Sequence, residues 1–230
     1  MVIAIDGPSG AGKSTLAKRL ARDLGFTYLD TGAMYRALAL KILRQSIDLD
    51  NVDLLNAVVA ETEIDLKGQN SPIQVLLDGE DVSGLIRTPA VSQMASKVSA
   101  LKVVRQRMLD LQRALGSRGN VVAEGRDIGT VVFPEAEVKV YLDASAQERG
   151  RRRYEELRAG GQEVDLAATI REMEERDKRD SERDLAPLRK AVDAVAIDSS
   201  ALPAEAVAER VLQLIEKKTY KIKKDRSCSS

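Results

Sequence analysis

Histidine is absent from all 230 residues, and that absence removes several chemistries together. No Ser-His-Asp triad, no His-ligated zinc and no imidazole general base can be built from this chain. Transfer to an alcohol ordinarily wants a base. A phosphate-monoester acceptor does not, because its second pKa of about 6 leaves it largely ionised at pH 7. The missing histidine therefore favours a phosphate acceptor, with an aspartate as the alternative base. Cysteine occurs once, at Cys228, so no internal disulfide exists and a reducing compartment fits. Neither sign of charge is in excess: 36 Lys and Arg balance 36 Asp and Glu. No global field then steers the chain toward nucleic acid or a membrane. No apolar run approaches the ~20 residues of a membrane span, and because the first residues enter a strand pattern directly we expect no leader. These absences, with aromatics at only 3%, lead us to expect a cytoplasmic monomer whose partners are small molecules.

What is present begins at residue 7. Gly7-Pro8-Ser9-Gly10-Ala11-Gly12-Lys13-Ser14 is a complete phosphate-binding loop of the form G-x-x-x-x-G-K-[ST]. Val2-Ile3-Ala4-Ile5-Asp6 before it suits a buried strand, and Leu16, Ala17, Leu20, Ala21 and Leu24 after it recur at helical spacing. Strand, glycine loop and helix stand in the order that aims backbone N–H groups and a helix N-terminus at phosphates. Lys13 adds a mobile positive charge, and Ser14 offers a hydroxyl to Mg²⁺.

Further strands are read at Thr27–Asp30, Asn120–Glu124, Val138–Asp143 and Ala194–Asp198. Each ends on an acidic residue, and helical patterns separate most of them, as parallel crossover units require. The result is an α/β fold with a five-stranded parallel sheet. Ligands in such sheets collect beyond the carboxyl ends of the strands, which directs attention to Asp30-Thr31-Gly32, Glu124-Gly125-Arg126-Asp127 and Asp143-Ala144-Ser145. A helix is expected to start near Thr31. Between the second and third strands lies an insertion, with a helix around Leu54–Val59. A hairpin follows at Ile73–Leu77 and Glu80–Val82 about an Asp78-Gly79 type I′ turn. The stretch Ala90 to Leu115 reads as one helix stopped by Gly116. Residues 147–189 are dense in arginine and split by Gly160-Gly161 into a helix–turn–helix that could move as a lid. The same density fits solvated helix faces with paired charges. The basic segment after Lys217 is expected to be a disordered terminus.

A phosphate loop alone covers GTPases, motors and kinases. The Asn-Lys-x-Asp motif that reads guanine is missing, and the Asp-x-x-Gly at Asp81–Gly84 follows the hairpin. Arginines in the same chain supply what phosphoryl transfer demands, guanidinium groups to spread over the transferring charge. Four segments then carry a resemblance: Gly7–Thr15, Asp30-Thr31-Gly32-Ala33-Met34-Tyr35-Arg36, Glu124 through Pro134, and Arg176-Asp177-Lys178-Arg179-Asp180 with Ala186-Pro187-Leu188. Together the chain resembles bacterial-type cytidylate kinase across nearly all of residues 1–215.

That resemblance implies a P-loop nucleoside monophosphate kinase: a core sheet, an inserted monophosphate-binding lobe with a small antiparallel sheet, and a helical lid. The core would comprise 1–40, 116–146 and 190–216, the CMP-binding lobe 41–115 and the lid 147–189, leaving 217–230 as tail. The implied reaction is Mg²⁺-dependent transfer from ATP to CMP or dCMP. Gly7, Pro8, Ser9, Gly10, Ala11, Gly12, Lys13, Ser14, Thr15 and Arg152 would hold ATP. Thr31, Arg36 and Arg126 would face the CMP phosphate, Asp30 would belong to the same CMP site, and Ser96, Arg105 and Asp127 would serve the cytosine. Asp180 and Arg183 would meet the ribose and phosphate, while Arg152 and Arg176 would close on the phosphoryl groups. Lys13, Arg126, Arg152, Arg176 and Arg183 form the expected catalytic set. Other readings are a kinase for UMP or a non-nucleotide alcohol, and an ATP-sensing binding module.

Overall fold

The computed structural model describes residues 1–68 and 73–227, with the side chains of 219–227 excepted. Strand β1 (Val2–Asp6) lies at the centre of a sheet covered on both faces, so its two isoleucines are wholly buried, Ile3 and Ile5 at 0% exposure. After the glycine loop, α1 (Lys13–Leu24) buries Leu16, Ala17, Leu20 and Ala21 and ends at Gly25. Strand β2 (Thr27–Asp30) runs into α2 (Thr31–Arg44) with no loop between. Asp30 closes the strand and caps the helix, accepting from Ala33 N at 2.7 Å.

The insertion holds α3 (Val52–Glu61), then β3 (Ile64–Lys67), β4 (Gln74–Leu77) and β5 (Glu80–Asp81), which form a three-stranded antiparallel sheet. Asp78 and Gly79 have φ of 49° and 87°, the two positive values a type I′ turn demands. Strand β3 was not singled out in the sequence, because four residues alternating Ile64, Asp65, Leu66, Lys67 carry little signal. The single helix expected from Ala90 to Leu115 is two: α4 (Pro89–Val98) and α5 (Lys102–Gly116). Ser99 Oγ turns back to donate to Ser96 O at 2.8 Å, and Leu101 takes an extended conformation that starts the second helix. Gly116 belongs to α5, where any Cβ would lie 2.3 Å from the Phe133 ring.

Strand β6 (Val121–Gly125) is followed by a π-helical turn at Ile128–Val132, then β7 (Val138–Asp143). Helices α6 (Ala146–Ala159) and α7 (Leu166–Glu182) pack on each other across the Gly160-Gly161 turn. Strand β8 (Val195–Asp198) and α8 (Ala204–Ser227) complete the order. Residues 217–227, expected to be disordered, continue α8, since no Gly or Pro interrupts them. Cys228 and its neighbours lie outside the described residues. Among the described residues no helix is long and apolar enough to cross a membrane.

The five-stranded sheet has the order β2-β6-β1-β7-β8, parallel throughout. One face packs on α1 and α8 through Leu16, Leu20, Val207 and Val211, the other on α2 and α5 through Leu38, Ile42 and Met108. Each such side chain contributes roughly 1.5–3 kcal/mol by leaving water. Asp6 aligns with Gly125 and Tyr141, and Asp30 with Glu124. The acidic strand ends therefore share one edge of the sheet, at the point where strand order reverses about β1.

Candidate active site

The glycine loop fills the gap between β1 and α1 by close approach: Gly7 has φ 148°, and a Cβ there would fall 1.9 Å from Leu142 O. Residues Ser9, Gly10, Gly12, Lys13, Ser14 and Thr15 face a cavity of about 490 Å³. Gly7 and Pro8 support from behind. Lys13 is 6% exposed, and its Nζ donates to Pro8 O at 2.6 Å. Burial, followed by repulsion from Arg126, brings its pKa down to about 7. The loop tip is gripped from α6 and α7. Ser9 N donates to Asp177 Oδ1 at 3.1 Å, Ser9 O accepts from Arg149 Nη1 at 3.0 Å, and Arg149 pairs with Asp177.

Across the cavity the charges come from side chains. Arg36 reaches back to Asp30 at 3.2 Å, and Thr31 Oγ1 donates to Glu124 O at 2.7 Å. Burial pushes the Asp30 carboxyl up, but Arg36, the Ala33 N–H and Arg87 outweigh it and hold the group below the usual range. A smaller pocket of about 50 Å³ adjoins, sharing Arg126 and Arg176 and lined by Tyr35, Ser96, Asp127 and Asp180 among others. Asp180 accepts from Ser96 Oγ at 3.2 Å and from Arg126 Nε at 3.1 Å, with Arg176 at 4.0 Å. Its burial is likewise outweighed by these arginines, so it too titrates low. Asp127 pairs with Arg105 and lies 3.6 Å from Arg183. Next to Ser96, Gln93 Oε1 accepts from Arg179 at 2.5 Å, so α4 and α7 touch directly over the cleft.

Positive charge here is under-compensated. Arg36 Nε, Arg176 Nε and Arg183 Nη2 are buried without a hydrogen-bond partner. Burial, then Arg126, brings Arg176 down to about 10. Unpaired buried guanidinium N–H groups are costly unless an anion arrives to accept from them. The arrangement thus offers two adjoining anion sites, one made by a loop and one by an arginine cluster.

Residues 3–217 match the family model described as cytidylate kinase. The chain belongs to the cytidylate kinase family. It is 54% identical over 215 residues to the cytidylate kinase of Syntrophotalea carbinolica, covering 94% of this chain and 92% of that protein. It is 50% identical over 218 residues to that of Carboxydothermus hydrogenoformans, covering 95% and 98%. Among solved structures, an uncharacterized protein from Eubacterium ventriosum shares the fold at TM-score 0.51 and 14% identity, covering 94% of this chain and 98% of that one.

Most residues singled out in the sequence converge on the two cavities; Gly7, Pro8, Ala11 and Arg105 do not line them. Arg105 lines neither: it stands behind Asp127, bonded to it and to Ser99 O at 3.2 Å. Arg152 lines the large cavity, with its Nε on Glu148 at 2.8 Å and its Nη2 on Ser199 O at 2.7 Å. There it borders a third cavity of about 320 Å³ with apolar walls from Leu142, Leu202 and Val207. Sequence reasoning passed over Arg87, which also lines the large cavity, and counted Arg153, which lines it too, and Arg149 only among charged helix residues. Asp177 was inside a quoted motif without a role.

Glu124, at the end of β6, was also left without a role. It is 4% exposed, accepts from Tyr28 OH, and lines the large cavity together with Ser14. Burial and then the Asp30 charge push its carboxyl up. An adjacent hydroxyl and carboxylate are the hard oxygen donors that Mg²⁺ prefers. Among the described residues no group of three or more Asp, Glu, Cys or His could hold a metal alone.

Proposed function

We propose that this chain transfers the γ-phosphoryl group of ATP to CMP or dCMP, giving ADP and CDP or dCDP. The observation that carries the reading is the pair of adjoining anion sites sharing Arg126 and Arg176, beside a pocket edged by Asp127 and Asp180. One site for phosphate would suffice for a sensor. Two sites, side by side, suit in-line transfer from a donor to an acceptor phosphate.

In this mechanism the loop Gly7–Thr15 cradles the donor phosphates, and Lys13 leaves Pro8 O to follow charge onto the leaving β-phosphate. The apolar cavity beside Arg152 receives the donor base. Arg36, Arg126 and Thr31 hold the acceptor phosphate, whose own ionisation makes a general base unnecessary. Asp127 accepts from the cytosine N4 amino group, with Arg105 fixing its orientation and Ser96 beside it. Asp180 and Arg183 meet the ribose. Arg152 and Arg176 neutralise the transferring group as the segment 147–189 closes as a lid over the core, opposite the inserted lobe 41–115, and excludes water. Ser14 and Glu124 would hold Mg²⁺, which supplies charge neutralisation between the β- and γ-phosphates. The proposal extends to a cytoplasmic monomer acting on small molecules, a reading supported by the balanced charge of the chain.

A coupled assay of ADP release with CMP, dCMP, UMP, AMP and shikimate tests this. Turnover with CMP and dCMP well above the other acceptors is expected. Equal rates with UMP, or turnover only with shikimate, would overturn it.

A further inference from the structure

The aspartate that opens a helical turn usually caps that turn. Its carboxylate accepts from the N–H two or three residues on and so satisfies donors that have no partner within the turn. Asp127 stands in that position before Ile128–Val132, with φ −145° and ψ 25°, and makes no such bond. Its carboxylate faces Arg105 and Arg183 instead. Another carboxylate does the capping. Asp6, at the end of β1, accepts from Ile128 N and from Gly129 N, each at 2.7 Å.

The substitution spans the molecule's central strands. Asp6 immediately precedes the glycine loop and lies in register with Gly125, just ahead of Arg126 and Asp127. It is 4% exposed, and both bonds are local to the turn. Gly129 fits the arrangement, since a Cβ there would lie 3.3 Å from Asp6 Oδ2 and 3.1 Å from Lys139 Cδ. With the Gly129 N–H already satisfied, Asp127 has less reason to fold back on its own backbone. The like charge of Asp6 also disfavours that inward position.

We infer that Asp6 is a positioning residue for acceptor selection: by capping the turn in place of Asp127, it leaves the Asp127 carboxylate free to read the acceptor base. This rests on the reading of Asp127 as the group that accepts from cytosine. Without Asp6, the vacant N–H groups draw Asp127 inward, and the preference for an amino-bearing base falls. The donor loop is built from other contacts and keeps its affinity.

The experiment measures kcat/KM for CMP and UMP, and KM for ATP, in Asp6→Asn, Asp127→Ala and the double variant. An asparagine presents only one acceptor where two N–H groups need one each. Asp6→Asn is expected to lower the CMP-over-UMP ratio at least about tenfold while KM for ATP stays within about twofold, the size of effect that misplacing a group can produce. The double variant should show no further loss beyond Asp127→Ala, because both act through one carboxylate. A merely structural role would depress both acceptors equally and leave the ratio alone. If Asp127→Ala collapses the ratio and Asp6→Asn does not, the inference is overturned and the kinase reading stands. An unchanged ratio in Asp127→Ala itself overturns the reading of Asp127 and this inference with it. Should Asp6→Asn not fold, Gly129→Ala presses on the same contact with the carboxylate retained. A ratio lowered about threefold supports the inference, and an unaltered one refutes it.

Discussion

On the donor side of the cleft, consecutive residues of one loop present backbone N–H groups and a single lysine. On the acceptor side, Arg36 comes from α2, Ser96 from α4, Arg105 from α5, Arg126 and Asp127 from the segment after β6, and Arg176 and Asp180 from α7. Backbone dipoles need no counterion when the anion is away. Buried guanidinium groups do, and each aspartate here acts as a stand-in: Asp30 for Arg36, Asp127 for Arg105 and Arg183, Asp180 for Arg126 and Arg176. The two sides should therefore respond differently to loss of a cation.

The sharpest break comes from Lys13→Met, expected to lower kcat by at least about 10³-fold with either CMP or dCMP. Because Lys13 is buried against its own charge, the same change should not lower the thermal midpoint. Arg126→Ala and Arg183→Ala should each lower kcat/KM at least about 10²-fold. Unlike the lysine variant, Arg126→Ala should also destabilise the free protein by roughly 1–3 kcal/mol, since Asp180 loses a buried partner. Equal midpoints for the Lys13 and Arg126 variants would erase the contrast. Kinetics and scanning calorimetry on the same preparations decide it.

A gentler probe is pH. Burial raises the Asp6 carboxyl to about 6, with Lys13, Asp127 and Tyr141 the ionisable groups facing it. Above that value both oxygens accept. Below it one carries a proton that meets an N–H, so the CMP-over-UMP ratio should fall several-fold as pH drops from 8 through 6. The two acceptors share a phosphate pKa of about 6, which cancels in the ratio. Between pH ~4 and ~6 the folded protein holds this proton more tightly than the unfolded chain, so this group's contribution to stability falls as pH rises across that window. Smallest of all should be Asp177→Ala, which frees the Ser9 N–H and raises KM for ATP about threefold while leaving KM for CMP unchanged.

Legibility in the sequence follows the same division. The five strands of the parallel sheet were readable to within a residue, because buried parallel strands are short apolar runs with little else to be. The phosphate loop was readable because its function is local. The break at Ser99 was not, since a serine within a helical pattern gives no warning that its hydroxyl will turn back to Ser96 O. Ser96 and Arg105 sit in unremarkable helical surroundings, and only the resemblance singled them out. Asp6 and Arg149 escaped notice for a plainer reason: their decisive partners are 122 and 140 residues away. No spacing rule reaches that far.

Gln93 and Ser96 of α4 hold Arg179 and Asp180 of α7, so the two walls of the cleft are clasped before either nucleotide enters. A nucleoside that settles between them exchanges bonds instead of adding to them. On the proposed reading, recognition would be a handover, in which one aspartate lets go of the protein as it takes hold of the sugar.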